Sequence, residues 1–155
     1  MSQTWFTYKD GQVVEYDSID RFPENCIGFV YKIINLKTGK FYIGKKSLWS
    51  NTKKKLTRAE LAEMIGPGRK PTKKLVTKET DWLNYWGSNK VLQGEIKEQG
   101  VDTFRKEIIK FCYSKKELTY WEMHYQCVEG VLLTDKSYND NILAKFYRRD
   151  LENSK

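Results

Sequence analysis

The chain has 155 residues, of which 39% are hydrophobic and 14% aromatic, and its 28 lysines and arginines against 20 acids give a net charge of +8. This length and apolar content are typical of one globular domain with a real core, which excludes a disordered chain. The positive charge favours a polyanionic partner such as nucleic acid, although many basic proteins bind none.

The sequence predicts neither a membrane protein nor a secreted one. No apolar run approaches the roughly 18 residues of a membrane span, and the segment M-S-Q-T-W-F lacks the basic-then-apolar order of a signal peptide. Cys26, Cys112 and Cys127 are an odd set at wide spacing that matches no zinc or disulfide pattern, so we interpret them as packed, reduced thiols. We therefore expect a cytoplasmic protein with no membrane partner.

Residues 1–27 are predicted to be an extension packed on the domain that follows. Trp5, Phe6 and Tyr8 precede an Asp-Gly turn, which allows a small hairpin or a strap laid over the domain. We interpret these aromatic side chains as packing anchors rather than as a binding surface.

The next stretch predicts a β-hairpin. Aromatic and β-branched residues from Phe29 to Ile34 predict one strand, a Lys-Thr-Gly turn follows, and residues 40–43 predict a second strand. Tyr31 and Tyr42 lie one on each strand, eleven positions apart. Taken alone, such a pair favours cross-strand packing.

A basic insertion occupies residues 45–78, with eleven lysines and arginines against two acids. The pattern Thr57-x-x-Glu60 is a capping box that predicts a helix, ended by Gly-Pro-Gly at 66–68, and residues 69–74 are predicted to be an exposed basic loop. We interpret the insertion as a surface that grips DNA phosphates by charge; the alternative is a solvated, mobile loop. The candidate DNA contacts are Lys45, Lys54, Arg58, Arg69, Lys70, Lys73 and Lys74.

The second half of the chain predicts a helix, a strand and a further helix. Residues 89–99 are the first helix, with Ser88 as its N-cap and Gly100 beyond its end, and residues 103–112 are the strand. A second capping box at 114–117 opens a helix to about residue 128. Its expected apolar face consists of Leu118, Trp121, Tyr125 and Val128, with Glu122 beside it. The pattern predicts an α+β domain with a small, mostly antiparallel sheet flanked by helices.

The hairpin, with V-Y at 30–31 and Y-I-G at 42–44, resembles the GIY-YIG nuclease signature, with the first glycine one place early at Gly28. The resemblance covers most of the chain. Within the family, the layout looks more specifically like that of the Seg-type endonucleases of large tailed phages. It rests further on D-W-x-x-Y-W-G-S at 81–88, E-L-T-Y-W-E-M at 117–123 and Y-N-D-N-I at 138–142. It implies one domain over residues 28–155 with a three-stranded sheet. It also implies a metal-dependent homing-type enzyme that cuts double-stranded DNA in the cytoplasm of a host bacterium.

The resemblance also assigns catalytic roles. Tyr31 and Tyr42 would flank the attacking water and the scissile phosphate, one as general base, with Tyr31 favoured, and the other as an orienting hydrogen-bonder. Glu122 would bind Mg²⁺, or another divalent cation such as Mn²⁺, which commonly takes only one or two protein carboxylates. A tyrosine pKa near 10 must be lowered by a nearby cation before the hydroxyl acts as a base. Asn141, with Asn139 as its rival, would orient groups around the metal.

The chain departs from the family pattern at the cation that holds the phosphate. The family's arginine falls at Thr52 here, so Lys46, close to the second strand, is the expected substitute, although a lysine lacks the bidentate arginine fork. Tyr85 stands where the family has a further histidine or tyrosine. The other cations that compete with Lys46 for this role are Lys45, Lys54, Arg58 and Arg69.

Two other interpretations stay open. The altered GIY and the missing arginine suit a catalytically lapsed domain that binds nucleic acid without cutting it. Trp82, Tyr85 and Trp86 would suit an RNA-binding module that stacks bases. The single histidine, His124, faces away from Glu122 on a helix and is interpreted as structural, which counts against zinc hydrolases, Ser-His triads and HNH-type nucleases. No glycine-rich phosphate loop appears, so we expect no small-molecule cofactor.

Overall fold

The fold is described from a computed structural model, which covers residues 4–64, 66, 68, 69 and 71–154. The strands are β1 (Trp5–Lys9), β2 (Gln12–Tyr16), β3 (Gly28–Asn35), β4 (Phe41–Ser47), β5 (Trp49–Lys55), β6 (Lys73–Glu79), β7 (Phe104–Cys112), β8 (Asn141–Ile142) and β9 (Phe146–Tyr147). The α-helices are α1 (Arg58–Ala62), α2 (Lys90–Gln99) and α3 (Lys115–Val128). Short 3₁₀ segments cover Ile19–Arg21, Trp82–Asn84, Val101–Thr103 and Arg148–Ser154. Every helix within these described ranges is too short or too polar to cross a membrane.

Five strands form the central sheet, in the order β2-β1-β7-β3-β4. The α+β class is confirmed, but the predicted count of three strands is wrong. The difference comes from the N-terminal segment, where β1 and β2 form a hairpin and β1 joins β7 in parallel, with Phe6 opposite Glu107. An unpaired strand edge exposes backbone donors and acceptors, and the hairpin covers that edge of β7. The mostly antiparallel pairing expected from the sequence holds for every other neighbouring pair of the sheet.

Helices α2 and α3 belong to the cores on opposite faces of this sheet. Side chains alternate along β3, so Phe29 and Tyr31 pack in one cluster with Leu92 of α2, while Val30 packs in the other with Leu118 of α3. Strand β3 is therefore buried from both sides, which accounts for its nearly continuous apolar sequence. Its partner β4 is an edge strand of the sheet, so side chains from both faces of the sheet can meet around its free edge.

The basic insertion forms a two-stranded ribbon rather than a loop. Strands β5 and β6 pair antiparallel in one register, from Trp49 opposite Glu79 to Lys55 opposite Lys73. Nearly all side chains of the ribbon are exposed on both faces, so no period-2 apolar pattern marks it in the sequence. Lys73 and Lys74 consequently lie in a strand.

The capping box at the start of α1 is confirmed. The Thr57 hydroxyl accepts a hydrogen bond from the backbone N–H of Glu60, and the Glu60 carboxylate accepts one from the backbone N–H of Thr57. Helix α1 is only five residues long. Pro67, in the predicted helix stop, and Lys70, in the predicted basic loop, lie outside the described residues.

Side chains cap the two longer helices. Asn89, and not the predicted Ser88, caps α2, because its Oδ1 accepts a hydrogen bond from the N–H of Leu92 at 3.0 Å. Ser114 caps α3 as predicted. The predicted apolar face of α3 is wrong at its C-terminal end, because Val128 is 67% exposed. Ten residues at about 100° each leave Val128 about 80° away from Leu118 around the helix.

The three cysteines are free thiols, and the single histidine contacts aromatic rings. Cys26 and Cys112 are buried free thiols as expected, whereas Cys127 is exposed, so its interpretation as a packed thiol is wrong. His124 lies against the rings of Tyr120 and Trp121 on the surface of α3.

Candidate active site

A cavity of about 380 Å³ lies along the outer edge of β4. Side chains from the two faces of this edge strand, Tyr42 on one and Lys45 on the other, reach it together. Helix α3 contributes Glu122 and Gln126. The remaining lining residues precede α2 or follow α3, and are Ser88, Asn89, Asn139, Asp140, Asn141 and Leu143. The sheet edge thus gathers polar groups from four separate segments.

Gly44 makes room for the first tyrosine beside this cavity. Tyr31 of β3 lies directly opposite Gly44 of β4, and its ring covers the glycine so closely that an added Cβ would contact the hydroxyl and lie 2.7 Å from Cζ. The same Cβ would lie 3.0 Å from Cε1 of Tyr42. A glycine at this position therefore lets both tyrosine rings converge over one backbone position.

The two tyrosines differ in exposure and in partners. Tyr31 is 1% exposed, with its ring 5.1 Å from Trp5 and 6.1 Å from both Tyr42 and Tyr85 between centroids. Tyr42 lines the cavity, and its hydroxyl lies 3.2 Å from the hydroxyl of Ser88. Tyr42 thus meets the cavity directly, whereas Tyr31 lies behind it.

Both hydroxyls hold their protons firmly. Burial holds the pKa of Tyr31 well above its ordinary value near 10, and the neighbouring Tyr42, Tyr85 and Glu122 raise it further. Burial also raises the pKa of Tyr42, with the hydrogen bond from Ser88 opposing the shift. Added positive charge in the cavity would lower both pKa values, because it stabilises the phenolate forms.

Glu122 is the carboxylate that α3 directs to the cavity. Burial raises its pKa, while the ammonium group of Lys45 and the backbone N–H of the same residue oppose the shift. The Lys45 ammonium in turn donates a hydrogen bond to the Thr119 hydroxyl at 2.8 Å, one turn earlier on α3. Burial disfavours the charged form of a carboxylate, and an added cation in the cavity would stabilise that form.

The lining suits a hard cation. The side chains of Glu122, Asp140 and Asn141, which carry carboxylate and amide oxygens, line the cavity. Within the described residues, no group of three or more His, Cys, Asp and Glu side chains is arranged to enclose a metal. Mg²⁺ binds through one or two carboxylates and keeps several waters, whereas structural zinc takes four protein ligands. The donor set therefore fits a partly hydrated Mg²⁺ or Mn²⁺.

Asn139 and Asn141 have different tasks. Asn139 is 3% exposed and clamps β4, since its Nδ2 donates to the carbonyl of Ile43 at 2.9 Å and its Oδ1 accepts from the N–H of Ile43 at 3.0 Å. Asn141 is only half-buried, and its Oδ1 accepts from the N–H of Ala144. Arg148 fixes the loop that carries both, by donating to the carbonyls of Thr134, Ser137 and Asn139.

A family model described as "Putative endonuclease segE, GIY-YIG domain" matches residues 12–148 of the chain. The chain belongs to this GIY-YIG family. Membership implies an endonuclease and therefore a nucleic-acid substrate, and it confirms the resemblance read from the motifs. No curated protein and no solved structure matches the chain.

In this GIY-YIG chain, Lys46 lies outside the cavity. Its ammonium pairs with Asp81 at 2.6 Å and lies 4.0 Å above the ring centre of Tyr85. Lys45 lines the cavity instead. The two lysines are neighbours on an edge strand, so their side chains leave on opposite faces. Thr52, where the family arginine falls, lies on the exposed ribbon.

Tyr85 is held in place by a residue that the sequence analysis missed. Lys106 of β7 is 1% exposed, and its ammonium donates to the carbonyls of Leu83 at 2.9 Å and Tyr85 at 3.3 Å. It also lies 4.5 Å from the ring centre of Trp5 and 4.4 Å from that of Trp86. A lysine in a strand of a basic protein is ordinarily solvated, so the sequence held no signal for this role.

Of the aromatic residues considered for base stacking, Trp82 is buried, and Tyr85 and Trp86 are half-buried with a lysine against each ring. Trp82 is 1% exposed, and its indole N–H donates to the carboxylate of Glu79 at 2.8 Å. The ring of Trp86 faces the Lys106 ammonium and the ring of Tyr85 faces that of Lys46. Trp82 therefore cannot stack on a nucleic-acid base.

The predicted DNA contacts lie mostly on or near the ribbon. Lys54 and Lys73 are exposed, and Lys74 pairs with Glu60 of α1 at 2.7 Å. Arg58 and Arg69 are exposed beyond the ribbon strands. Lys70 lies outside the described residues, and Lys45 is the one predicted contact that lines the cavity. The predicted set therefore divides into a cavity residue and a ribbon group.

Proposed function

We propose that this protein is a metal-dependent endonuclease that hydrolyses phosphodiester bonds in double-stranded DNA. The observation that carries the proposal is the meeting of Tyr42, Glu122 and Asn141 in one cavity, with Tyr31 directly behind. The four residues come from four different elements, β3, β4, α3 and β8, and they meet at the edge strand β4. On the resemblance to Seg-type enzymes, we extend the proposal to a homing-type enzyme of phage origin.

Each cavity residue has a separate proposed role in phosphodiester hydrolysis. Glu122, with Asn141 beside it, holds a divalent cation, and the bound ion supplies positive charge to the phosphate and lowers the pKa of nearby hydroxyls. One tyrosine hydroxyl takes the proton of the attacking water and the other orients that water. Lys45, on the far side of the same edge, supplies a positive charge at the cavity rim for the phosphate.

The ribbon supports DNA as the substrate. Lys54 faces Lys74 and Lys55 faces Lys73 directly across the two strands, and like charges in that position destabilise a sheet. A two-stranded ribbon without a buried face is also marginally stable by itself. A polyanion laid on the ribbon would relieve the repulsion, and each neutralised phosphate would release counterions in return.

Plasmid cleavage with Mg²⁺, against a chelator, tests the proposal. Glu122→Gln should lower the single-turnover cleavage rate by at least about 100-fold, which corresponds to about 2.7 kcal/mol in the barrier. DNA affinity should stay near that of the parent protein, because the carboxylate holds the cation rather than the phosphate. The matched control is Glu98→Gln, which removes the same charge at an exposed position of α2.

The rival function is a lapsed domain that binds DNA without cutting it. One observation favours this rival. The ammonium group of Lys46, the expected phosphate-binding cation, is held instead by Asp81 and by the ring of Tyr85. The same experiment separates the two candidates. DNA binding by the parent protein, with no cleavage under Mg²⁺ or Mn²⁺, would favour the rival, and wild-type cleavage by Glu122→Gln would contradict the cation role of Glu122.

A further inference from the structure

Helix α3 presents a second polar side chain to the cavity, one turn after Glu122. Gln126 lines the cavity wall together with Glu122, and the spacing of four residues puts both on one side of the helix. Gln126 is 5% exposed, although glutamine is mostly found at protein surfaces. A buried polar side chain at this point calls for a partner at each end of its amide.

The partner of the amide nitrogen is clear. Nε2 of Gln126 donates to the carbonyl oxygen of Ile43 in β4 at 3.1 Å, and the same carbonyl accepts from Nδ2 of Asn139 at 2.9 Å. A carbonyl oxygen only accepts hydrogen bonds, so the amide must turn its nitrogen towards Ile43. The oxygen Oε1 must therefore point the other way, and the assignment of the two amide atoms is fixed by chemistry.

The partner of the amide oxygen is missing within the protein. Oε1 of Gln126 is buried and has no hydrogen-bond partner, and it is the one buried side-chain nitrogen or oxygen of which this is true in the described part of the chain. A buried acceptor without a donor costs about 1–3 kcal/mol. A cost of this size beside a cavity indicates that a ligand bound in the cavity supplies the missing hydrogen-bond donor.

We infer that Gln126 is a further cation-site residue, whose Oε1 accepts a hydrogen bond from a water of the hydrated cation held by Glu122. The inference rests on the proposed function. Side chains four residues apart on a helix have Cβ atoms roughly 5–6 Å apart, a separation that one hydrated cation spans. Mg²⁺ keeps several waters that donate hydrogen bonds. The terminal torsion of glutamine is broad, so the amide can turn to bring Oε1 towards the cavity.

Two substitutions at Gln126 have opposite expected effects on Mn²⁺ binding by the full chain, measured calorimetrically without DNA. Gln126→Met removes the acceptor and should weaken Mn²⁺ binding by about 10–100-fold, as loss of an outer partner of a metal commonly does. Gln126→Glu turns a carboxylate towards the cation and should tighten binding by about 10-fold, in line with the preference of such ions for carboxylate oxygen. Both variants lose the hydrogen bond to Ile43, so both should melt at a lower temperature without metal. Gln12→Glu is the matched charge control, because it adds the same charge at an exposed position of β2.

The outcomes separate this inference from the function on which it rests. If the parent protein binds no Mn²⁺, both the proposed function and the role of Gln126 are overturned. If the parent protein binds Mn²⁺ and both Gln126 variants bind it with unchanged affinity, only the role of Gln126 is overturned, and the residue is a clamp on β4. If Gln126→Met does not fold, Gln126→Glu decides alone, because tighter binding supports the inference and unchanged or weaker binding overturns it.

Discussion

Gly44→Ala tests whether the site depends on the close approach of Tyr31 to the backbone of β4. The added Cβ would contact the Tyr31 hydroxyl and lie 2.7 Å from Cζ of the same ring, with Cε1 of Tyr42 at 3.0 Å. The Tyr31 ring has little space to retreat, since it is 1% exposed and packs against the rings of Trp5 and Tyr85. The clash must therefore be relieved by a shift of the strand or of both tyrosines.

The expected magnitude follows from two opposing effects. Alanine costs less backbone entropy on folding than glycine, which favours the variant by about 0.5–1 kcal/mol. Overpacking of a tight core typically costs about 1–3 kcal/mol. We therefore expect the free energy of unfolding to fall by about 1–2 kcal/mol. Gly94→Ala is the matched control, because Gly94 lies in α2 with no atom within 4 Å of the added Cβ, and this variant should gain about 0.5–1 kcal/mol.

Urea unfolding measures the stability change as a shift of the midpoint at constant slope. Cleavage at a temperature where the variant is fully folded measures the effect on the site. A displacement of reacting groups by about 1 Å can cost roughly 100-fold in rate, so the cleavage rate should fall even in the folded variant. If Gly44→Ala is as stable as the parent protein and cleaves DNA at the same rate, the argument from close approach is refuted.

Three further expectations concern the hydroxyls, the ribbon and the buried lysine. Of Tyr31→Phe and Tyr42→Phe, the one that removes the general base should lose roughly 10²–10⁴-fold in single-turnover cleavage with unchanged Mn²⁺ affinity, and near-normal rates for both would contradict the catalytic role. Alanine at Lys53, Lys54 and Lys73 should make the dependence of DNA affinity on salt shallower by up to about 0.9 in logarithmic slope for each lost contact. The same change at exposed Lys9, Lys97 and Lys116 should leave that slope unchanged. Burial lowers the pKa of Lys106 to about 7, so above pH 7 the unfolded chain binds a proton that the folded chain lacks. The free energy of unfolding, relative to Lys106→Met, should therefore rise between pH 7 and 10, by up to about 1.4 kcal/mol per pH unit in urea titrations.

The parts of the fold that the sequence predicts are those set by local pattern. The hairpin of β3 and β4 and the helix α3 follow from apolar periodicity, a turn and a capping serine. The pairing of β1 with β7 joins Phe6 to Glu107 and has no local signal. The ribbon escaped prediction because both of its faces are exposed, so nothing imposes an alternation on its sequence.

The same distinction applies to the candidate site, where some residues were predicted from the sequence pattern and others were not. Tyr31, Tyr42, Glu122 and Asn141 were named from a motif, which records residues that the family places together. Lys45 was named as a DNA contact and as a rival of Lys46, without a place in the cavity, and Gln126 was not named. Their relation to the cavity depends on the edge position of β4 and on the direction of one amide. Spacing alone does not determine either feature.

Leu48 and Thr80 hold the base of the ribbon against the central sheet. Leu48 lies between β4 and β5 and is 1% exposed, its N–H donates to the carbonyl of Ile27, and its carbonyl accepts from the N–H of Thr80. The Thr80 hydroxyl also donates to the carbonyl of Ser47 at 2.6 Å. Both strands of the ribbon are therefore fastened to the sheet at their base, directly beyond the strand that carries Tyr42 and Lys45. On the proposed function, a duplex bound along the ribbon would therefore be presented to the cavity in a direction set by the sheet.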